Sequence, residues 1–277
     1  MVLPADGHVH SEWSWDAASG SMRRTCARAV ELGLPAVAFT EHADYTPWFV
    51  RPGELDDRLQ RFVAPDSTVV APELNLDGYR ESLQRCRAEF PGLRIISGVE
   101  LGEPHRHPEI VARLLAAGEF DRVLASVHAL PLGDRMAEPP NLFRESPPAE
   151  VIRDYLSEID RLISASDAFA VLAHIDYPLR YWPTAAGPFD PNAFEDDFRR
   201  PLRTLAGSGR ALEVNTAGPL LPEIVRWWRA EGGDAVTFGS DAHEPAELGR
   251  RFAEAAAMVE AHGFRPGRHP HDVWTAS

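Results

Sequence analysis

The chain's 277 residues suffice for a sizeable core, and its content of 44% apolar and 25% charged residues is that of an ordinary globular protein. No apolar run approaches the ~20 residues that a membrane-spanning helix needs, so no membrane partner is expected. A net charge of −14, with no basic stripe and no Lys/Arg patch interleaved with aromatics, argues against nucleic acid as a partner.

The opening MVLPADGHVH has neither the basic nor the apolar segment of a secretory leader. Cys26 and Cys86 stand singly in helix-like stretches flanked by arginine. That excludes a C-x-x-C zinc ribbon and a disulfide scaffold. Together these features predict a cytoplasmic protein.

Seven short apolar runs follow one another: Gly7–His10, Ala36–Thr40, Arg94–Glu100, Arg122–Val127, Ala170–Ala173, Ala211–Asn215 and Ala235–Gly239. Several are continuous in Val, Ile, Leu and Ala, which suits strands buried on both faces of a parallel sheet. Each precedes a stretch with helical spacing. Gly33 is placed to stop the first helix. Val151, Ile152, Tyr155, Leu156, Ile159, Leu162 and Ile163 form one apolar stripe, with a start signal at Ser146 before Pro147. Asp190 before Pro191 starts another helix, and Leu248, Phe252, Ala255, Ala256 and Val259 form a last stripe. The Pro-rich stretch Glu138–Pro148 and the tail after Phe264 read as loops. Sevenfold strand–helix alternation predicts a parallel α/β fold, either doubly wound or closed into a barrel. With no linker or composition break, one domain over residues 1–277 is predicted, its core about 6–264.

Six of the 11 histidines fall at strand ends. His8 and His10 end the first strand, and His42 follows Glu41 after the second. Glu100 ends the third, His128 the fourth and His174 the fifth. Asp241 and His243 end the seventh. In a βα barrel such residues converge on one face. Imidazole with carboxylate is a ligand set for zinc, iron or manganese. A lone strand-end histidine is more often packed or hydrogen-bonded than a ligand, and H-x-H by itself is weak. This chain has two others, His105/His107 in a loop and His269/His271 in a polar tail, both read as solvated or locally hydrogen-bonded. His8 and His10 differ because alternate residues at a strand end point to the same side. Six of seven strands ending in a ligand-type residue point to a metal centre.

The order H-x-H, [DE]-H, G-x-E, S-x-H, A-H and G-S-D-A-H, from about His8 to His243, resembles the polymerase and histidinol phosphatase (PHP) superfamily. The resemblance implies a single distorted seven-stranded (βα)7 TIM-like barrel with the metal site at the C-terminal ends of the strands. It also implies two or three divalent metal ions: zinc, manganese or iron. Carried over by position, His8, His10, Glu100 and Asp241 would hold one ion. Glu100 would bridge to a second, shared with His128 and His174. Asp16, His42 and His243 would hold a third, with Asp16 fitting by its spacing from His10. Glu41 and Asp44 would support the ligands rather than bind metal.

VNTAGP, GSDAH and AVAFTEHAD look most like the histidinol-phosphate phosphatase branch, which implies hydrolysis of L-histidinol phosphate to L-histidinol and phosphate in histidine biosynthesis. The expected step is in-line attack by a metal-bridging hydroxide, with Glu100, Asp241 and His243 as catalytic residues. Three divalent ions carry about +6, and three carboxylates with one hydroxide remove about 4, leaving roughly +2 for a phosphate dianion. An acidic chain can thus accept a small phosphorylated metabolite.

The segment AGPLLPEI after the N-T motif holds no basic residue. Arg180, in the fifth strand–helix loop, is the leading phosphate contact, ahead of Arg51, Arg106 and Arg144. Asn215 is a second substrate-binding candidate. Trp13, Trp15, Tyr45, Trp48, Tyr177, Tyr181 and Trp182 could shape a pocket or pack the rim. Rival readings are another small phosphomonoester, a nucleotide-type phosphodiester, a metal-dependent C–N hydrolase or a non-catalytic metal-binding module. The carbamylated-lysine form of the C–N hydrolase is excluded, since the chain contains no lysine.

Overall fold

The computed structural model describes residues 3–269, 271 and 273–277. Seven strands lie side by side in chain order: β1 (Asp6–Val9), β2 (Ala36–Asp44), β3 (Arg94–Gly102), β4 (Arg122–Ser126), β5 (Val171–Leu172), β6 (Ala211–Asn215) and β7 (Ala235–Gly239). Every neighbouring pair is parallel. The sheet curls until Val9 bridges to Ala242, just beyond β7. There the His10 N–H donates to Ala242 O and the Asp241 N–H to His8 O, both at 2.9 Å. The fold is mixed α/β around this curled sheet.

Eight helices accompany it: α1 (Met22–Leu32), α2 (Leu76–Glu89), α3 (Pro108–Gly118), α4 (Pro139–Glu145), α5 (Pro148–Ala165), α6 (Glu195–Gly207), α7 (Pro222–Ala230) and α8 (Phe252–Ala261). α1 is closed by Gly33 at φ 70°, a left-handed conformation that glycine adopts without the clash of a Cβ. The α5 stripe is buried along its whole length. Asp190 caps a short 3₁₀ turn, Pro191–Phe194, that leads into α6, with its side chain accepting from the Asn192 N–H. No helix among the described residues is long and apolar enough to cross a membrane.

Three expectations are corrected. The Pro-rich stretch contains α4, whose first two positions are Pro139 and Pro140; proline is tolerated there because those N–H groups lack helical partners anyway. Ser146 closes α4 instead of opening α5, its N–H donating to Leu142 O at 2.9 Å. The tail after Phe264 is not all loop: Phe264–Arg265 and Trp274–Ala276 form antiparallel strands that extend the sheet past β7. Trp274 holds them by packing on Phe238, ring centroids 4.9 Å apart, a contact with no local sequence signature. Pro270 and Asp272 lie outside the described residues.

Alternation along the strands divides the two faces. Val37 and Phe39 of β2 join the main apolar core with the helices, as do Val236 and Phe238 of β7. The opposite face begins with small residues, among them Ala36, Ala38, Ala173 and Ala211. It then becomes polar toward the strand ends. Tyr79 of α2 is tied to the sheet: its hydroxyl donates to Phe39 O at 2.7 Å and accepts from the Gly98 N–H at 2.8 Å. Tyr79→Phe leaves those buried groups unpaired and should cost about 1–3 kcal/mol. Urea denaturation checks this, and an unchanged midpoint contradicts it.

Candidate metal centre

Glu100 is fully buried, and His42 is its register partner on β2, so the two side chains share one face of the sheet. Around Glu100 Oε2 stand His8 Nε2 at 3.0 Å, His42 Nδ1 at 3.2 Å and His10 Nε2 at 3.4 Å. His174 Nε2 and His128 Nε2 lie 2.8 and 3.3 Å from Oε1. Asp241 Oδ1 is 3.2 Å from His10 Nε2 and 3.6 Å from His8 Nε2. Asp16 Oδ2 lies 3.1 Å from His243 Nε2 and 3.4 Å from His42 Nε2. The nine predicted ligand-type side chains therefore meet in one place.

Their spacing has chemical content. Ligands about 2.0–2.1 Å from a tetrahedral ion stand roughly 3.3 Å apart. Among the described residues, four triads bring their donor atoms within 4.8 Å of one another: His8/His10/Glu100, His8/His174/Asp241, His42/Glu100/His128 and His10/His42/His243. Asp16 Oδ1 and His174 Nδ1 are buried without a hydrogen-bond partner. Imidazoles, carboxylates and unpaired buried donors together fit a divalent cation.

The surrounding residues hold these side chains in place. Glu213 Oε1 accepts from His8 Nδ1 at 2.7 Å, and its Oε2 accepts from the His174 N–H at 2.9 Å. Glu41 accepts from Ser11 and from the Ser14 hydroxyl, and Ser14 Oγ lies 2.9 Å from His10 Nδ1. Asp44 accepts from Trp15 Nε1 at 2.9 Å and sits 3.2 Å from His128 Nδ1. The contacts to Nδ1 of His8, His10 and His128 engage one ring nitrogen of each and leave Nε2 to the centre. A Cβ on Gly239 would lie 2.1 Å from Glu213 Oε1 and 2.7 Å from His8 Cβ. Only glycine leaves room for that pair.

Burial alone would raise the carboxylates, yet the neighbouring imidazoles outweigh it. His8, His42 and His128 hold Glu100 well below its ordinary value, and His42 and His243 do the same for Asp16. Arg180 and His8 keep Asp241 ionised. Burial with His42 and His243 pushes His10 down to about 3, leaving a neutral imidazole with a lone pair to donate.

These groups face a cleft with about 450 Å³ of open space, also lined by Trp15, Glu138, Tyr177, Arg180 and Tyr181. Arg180 Nη2 lies 2.5 Å from Asp241 Oδ2 and donates to Asn215 Oδ1 at 3.1 Å. Asn215 stands behind it, its amide donating to Glu213 Oε2 at 3.0 Å. The other arginine candidates are engaged elsewhere: Arg51 with Asn141 and Glu145, Arg106 with Glu158, and Arg144 with Glu54. Of the remaining H-x-H pairs, His105 meets Glu158 and His107 meets Thr46, both at 2.8 Å, while the His269 and His271 rings stack 5.4 Å apart. Trp48 is buried in the small rim cluster, and Trp13 and Trp182 pack against the main core.

Sequence reading missed Glu213, Ser14 and Glu138. Glu213 had a signal: it lies two residues before Asn215, on the same face of the one strand without a ligand-type end. Ser14 and Glu138 had none.

A curled parallel sheet carrying this imidazole–carboxylate cluster defines a metal-dependent class of protein. The chain belongs to the PHP-domain family, whose model matches residues 6–217. It is 28% identical to a probable histidinol-phosphatase of Deinococcus radiodurans, an alignment covering 96% of both chains. Histidinol phosphate phosphatase from Lactococcus lactis, solved with zinc, L-histidinol and phosphate, superposes with a TM-score of 0.79 at 25% identity, covering 96% of this chain and 95% of that one. A histidinol phosphatase structure from Listeria monocytogenes shares the fold, with a TM-score of 0.71 at 18% identity over 90% of this chain and 99% of the other.

Glu213→Gln keeps every donor facing the centre but loosens His8 and His174. It should weaken retention of divalent ions by about 10–100-fold. Chelator competition measures this, and unchanged affinity contradicts it.

Proposed function

We propose that this chain is a metal-dependent phosphomonoester hydrolase that converts L-histidinol phosphate to L-histidinol and phosphate. On this reading the curled sheet is a distorted (βα)7 barrel in one domain, with its chemistry at the C-terminal strand ends. His8, His10, Glu100 and Asp241 would hold one divalent ion. Glu100, His128 and His174 would hold a second, and Asp16, His42 and His243 a third, with zinc, manganese or iron suited to the donors. Such ions supply an activated water at neutral pH and positive charge for a phosphate dianion.

The chain's own residues then have defined tasks. Arg180 lines the cleft beside Asp241 and would turn its remaining N–H groups to phosphate oxygens. Asn215 fixes Arg180 from behind and so acts on the substrate through it. Asp241 or a metal-bound water would return a proton to the leaving oxygen. His243, at the cleft edge, would present Nε2 to the third ion, its Nδ1 lying 3.0 Å from Asp241 O. Trp15, Tyr177 and Tyr181 wall the site and restrict water.

The observation that carries this reading is the convergence of nine ligand-type side chains, from six of seven strands, at metal-ligand spacing beside a cleft-lining arginine. The likeness to the Lactococcus lactis enzyme, which binds zinc, L-histidinol and phosphate, supports the substrate. Purified protein supplied with manganese or zinc should release phosphate from L-histidinol phosphate, and chelation should stop it. Glu100→Gln should bring turnover to background. Wild-type rates in that variant, or no release from metal-loaded protein, overturn the assignment.

A further inference from the structure

The cleft contains one acidic side chain that neither the ligand clusters nor the groups orienting them employ. Glu138 lines the cleft with Tyr177, Tyr181 and Arg180. Its main chain is fixed: it precedes Pro139 at the start of α4, and its carbonyl accepts from the N–H groups of Asn141 and Leu142. Its carboxylate does not cap that helix. Among the described residues it has no side-chain hydrogen bond or ion pair, although ion pairs are plentiful there.

A half-buried carboxylate without a counter-charge is costly to maintain. Its surroundings increase that cost, since Asp44, Asp16 and Glu103 act on it unfavourably and only His128 offsets them. Burial and these acids push Glu138 up to about 7. Such a group gains strongly when a cation arrives.

We infer that Glu138 forms a cation subsite, taking the ammonium group of an aminoalkyl phosphate ester whose phosphate lies at Arg180 and the ligand cluster. One feature of the cleft agrees with this polarity, while the Tyr177 ring is already engaged by the Arg180 guanidinium, 5.0 Å from its centroid. The anion-binding arginine is separately held by Asp241 and Asn215, so it does not neutralise Glu138. The cleft thus carries a group suited to an anion and another suited to a cation. The subsite rests on the phosphatase reading above, and with it an ester bearing an ammonium group should be preferred over a plain alkyl phosphate.

Glu138→Gln tests it without disturbing the fold, because the side chain supports no hydrogen bond in the chain. Calorimetry on metal-loaded protein compares L-histidinol with 3-(imidazol-4-yl)propan-1-ol, which lacks the amine. Glu138→Gln should weaken L-histidinol by about 10–100-fold, the range for a hydrogen bond to a charged group, and leave the amine-free alcohol within about twofold. Equal loss for both alcohols, no loss for either, or a wild-type protein indifferent to the amine overturns the subsite. If wild-type protein fails to hydrolyse L-histidinol phosphate yet shows Glu138-dependent binding of the amine, the substrate assignment falls and the subsite stands.

Discussion

Five imidazoles stand within 3.4 Å of the fully buried carboxylate of Glu100. Burying a charged group costs several kcal/mol unless opposite charge and hydrogen bonds surround it. The rest of the centre follows from meeting that requirement on a curled sheet. The interior face is built of alanines below, so the strands can approach, and of imidazoles and carboxylates above. Gly239 lacks a side chain because Glu213 must reach His8. Asp241 adopts φ 53°, an uncommon backbone state for a non-glycine residue, where its N–H closes onto β1 and its carboxylate meets His10 and Arg180.

The same clustering reconciles an acidic chain with an anionic substrate. Net charge sets the far field, but a centre of divalent ions dominates the field inside its cleft. Arg180 adds a planar donor at the rim of that centre, and its own orientation is settled by Asp241 and Asn215 rather than by solvent. Glu138 lies in the same cleft with the opposite preference. A molecule with a phosphate and an ammonium group complements both, whereas a plain phosphate ester complements only one.

Much of this was legible in the sequence because the relevant signals are local. Apolar runs marked seven parallel strands, and a histidine or carboxylate at the end of six of them marked the cluster. His8 and His10 were distinguished from His105 and His107 by strand placement alone, and the latter pair proved to be hydrogen-bonded to Glu158 and Thr46. What sequence could not carry was contact across long separations. Glu213 meets His8 from 205 residues away. Trp274 secures a terminal strand only through Phe238. Glu138 read as part of a proline-rich loop, since two prolines at a helix start and two in a loop look alike until the chain around them is folded.

On the proposed reading, separate ions would be held around Glu100. Crystals of metal-loaded protein, measured at the absorption edge of the metal supplied, would locate each ion by its anomalous signal. The account predicts three peaks: two flanking Glu100, with His8, His10 and Asp241 on one side and His128 and His174 on the other, and a third among Asp16, His42 and His243. A single peak, or ions bound away from Glu100, would contradict it.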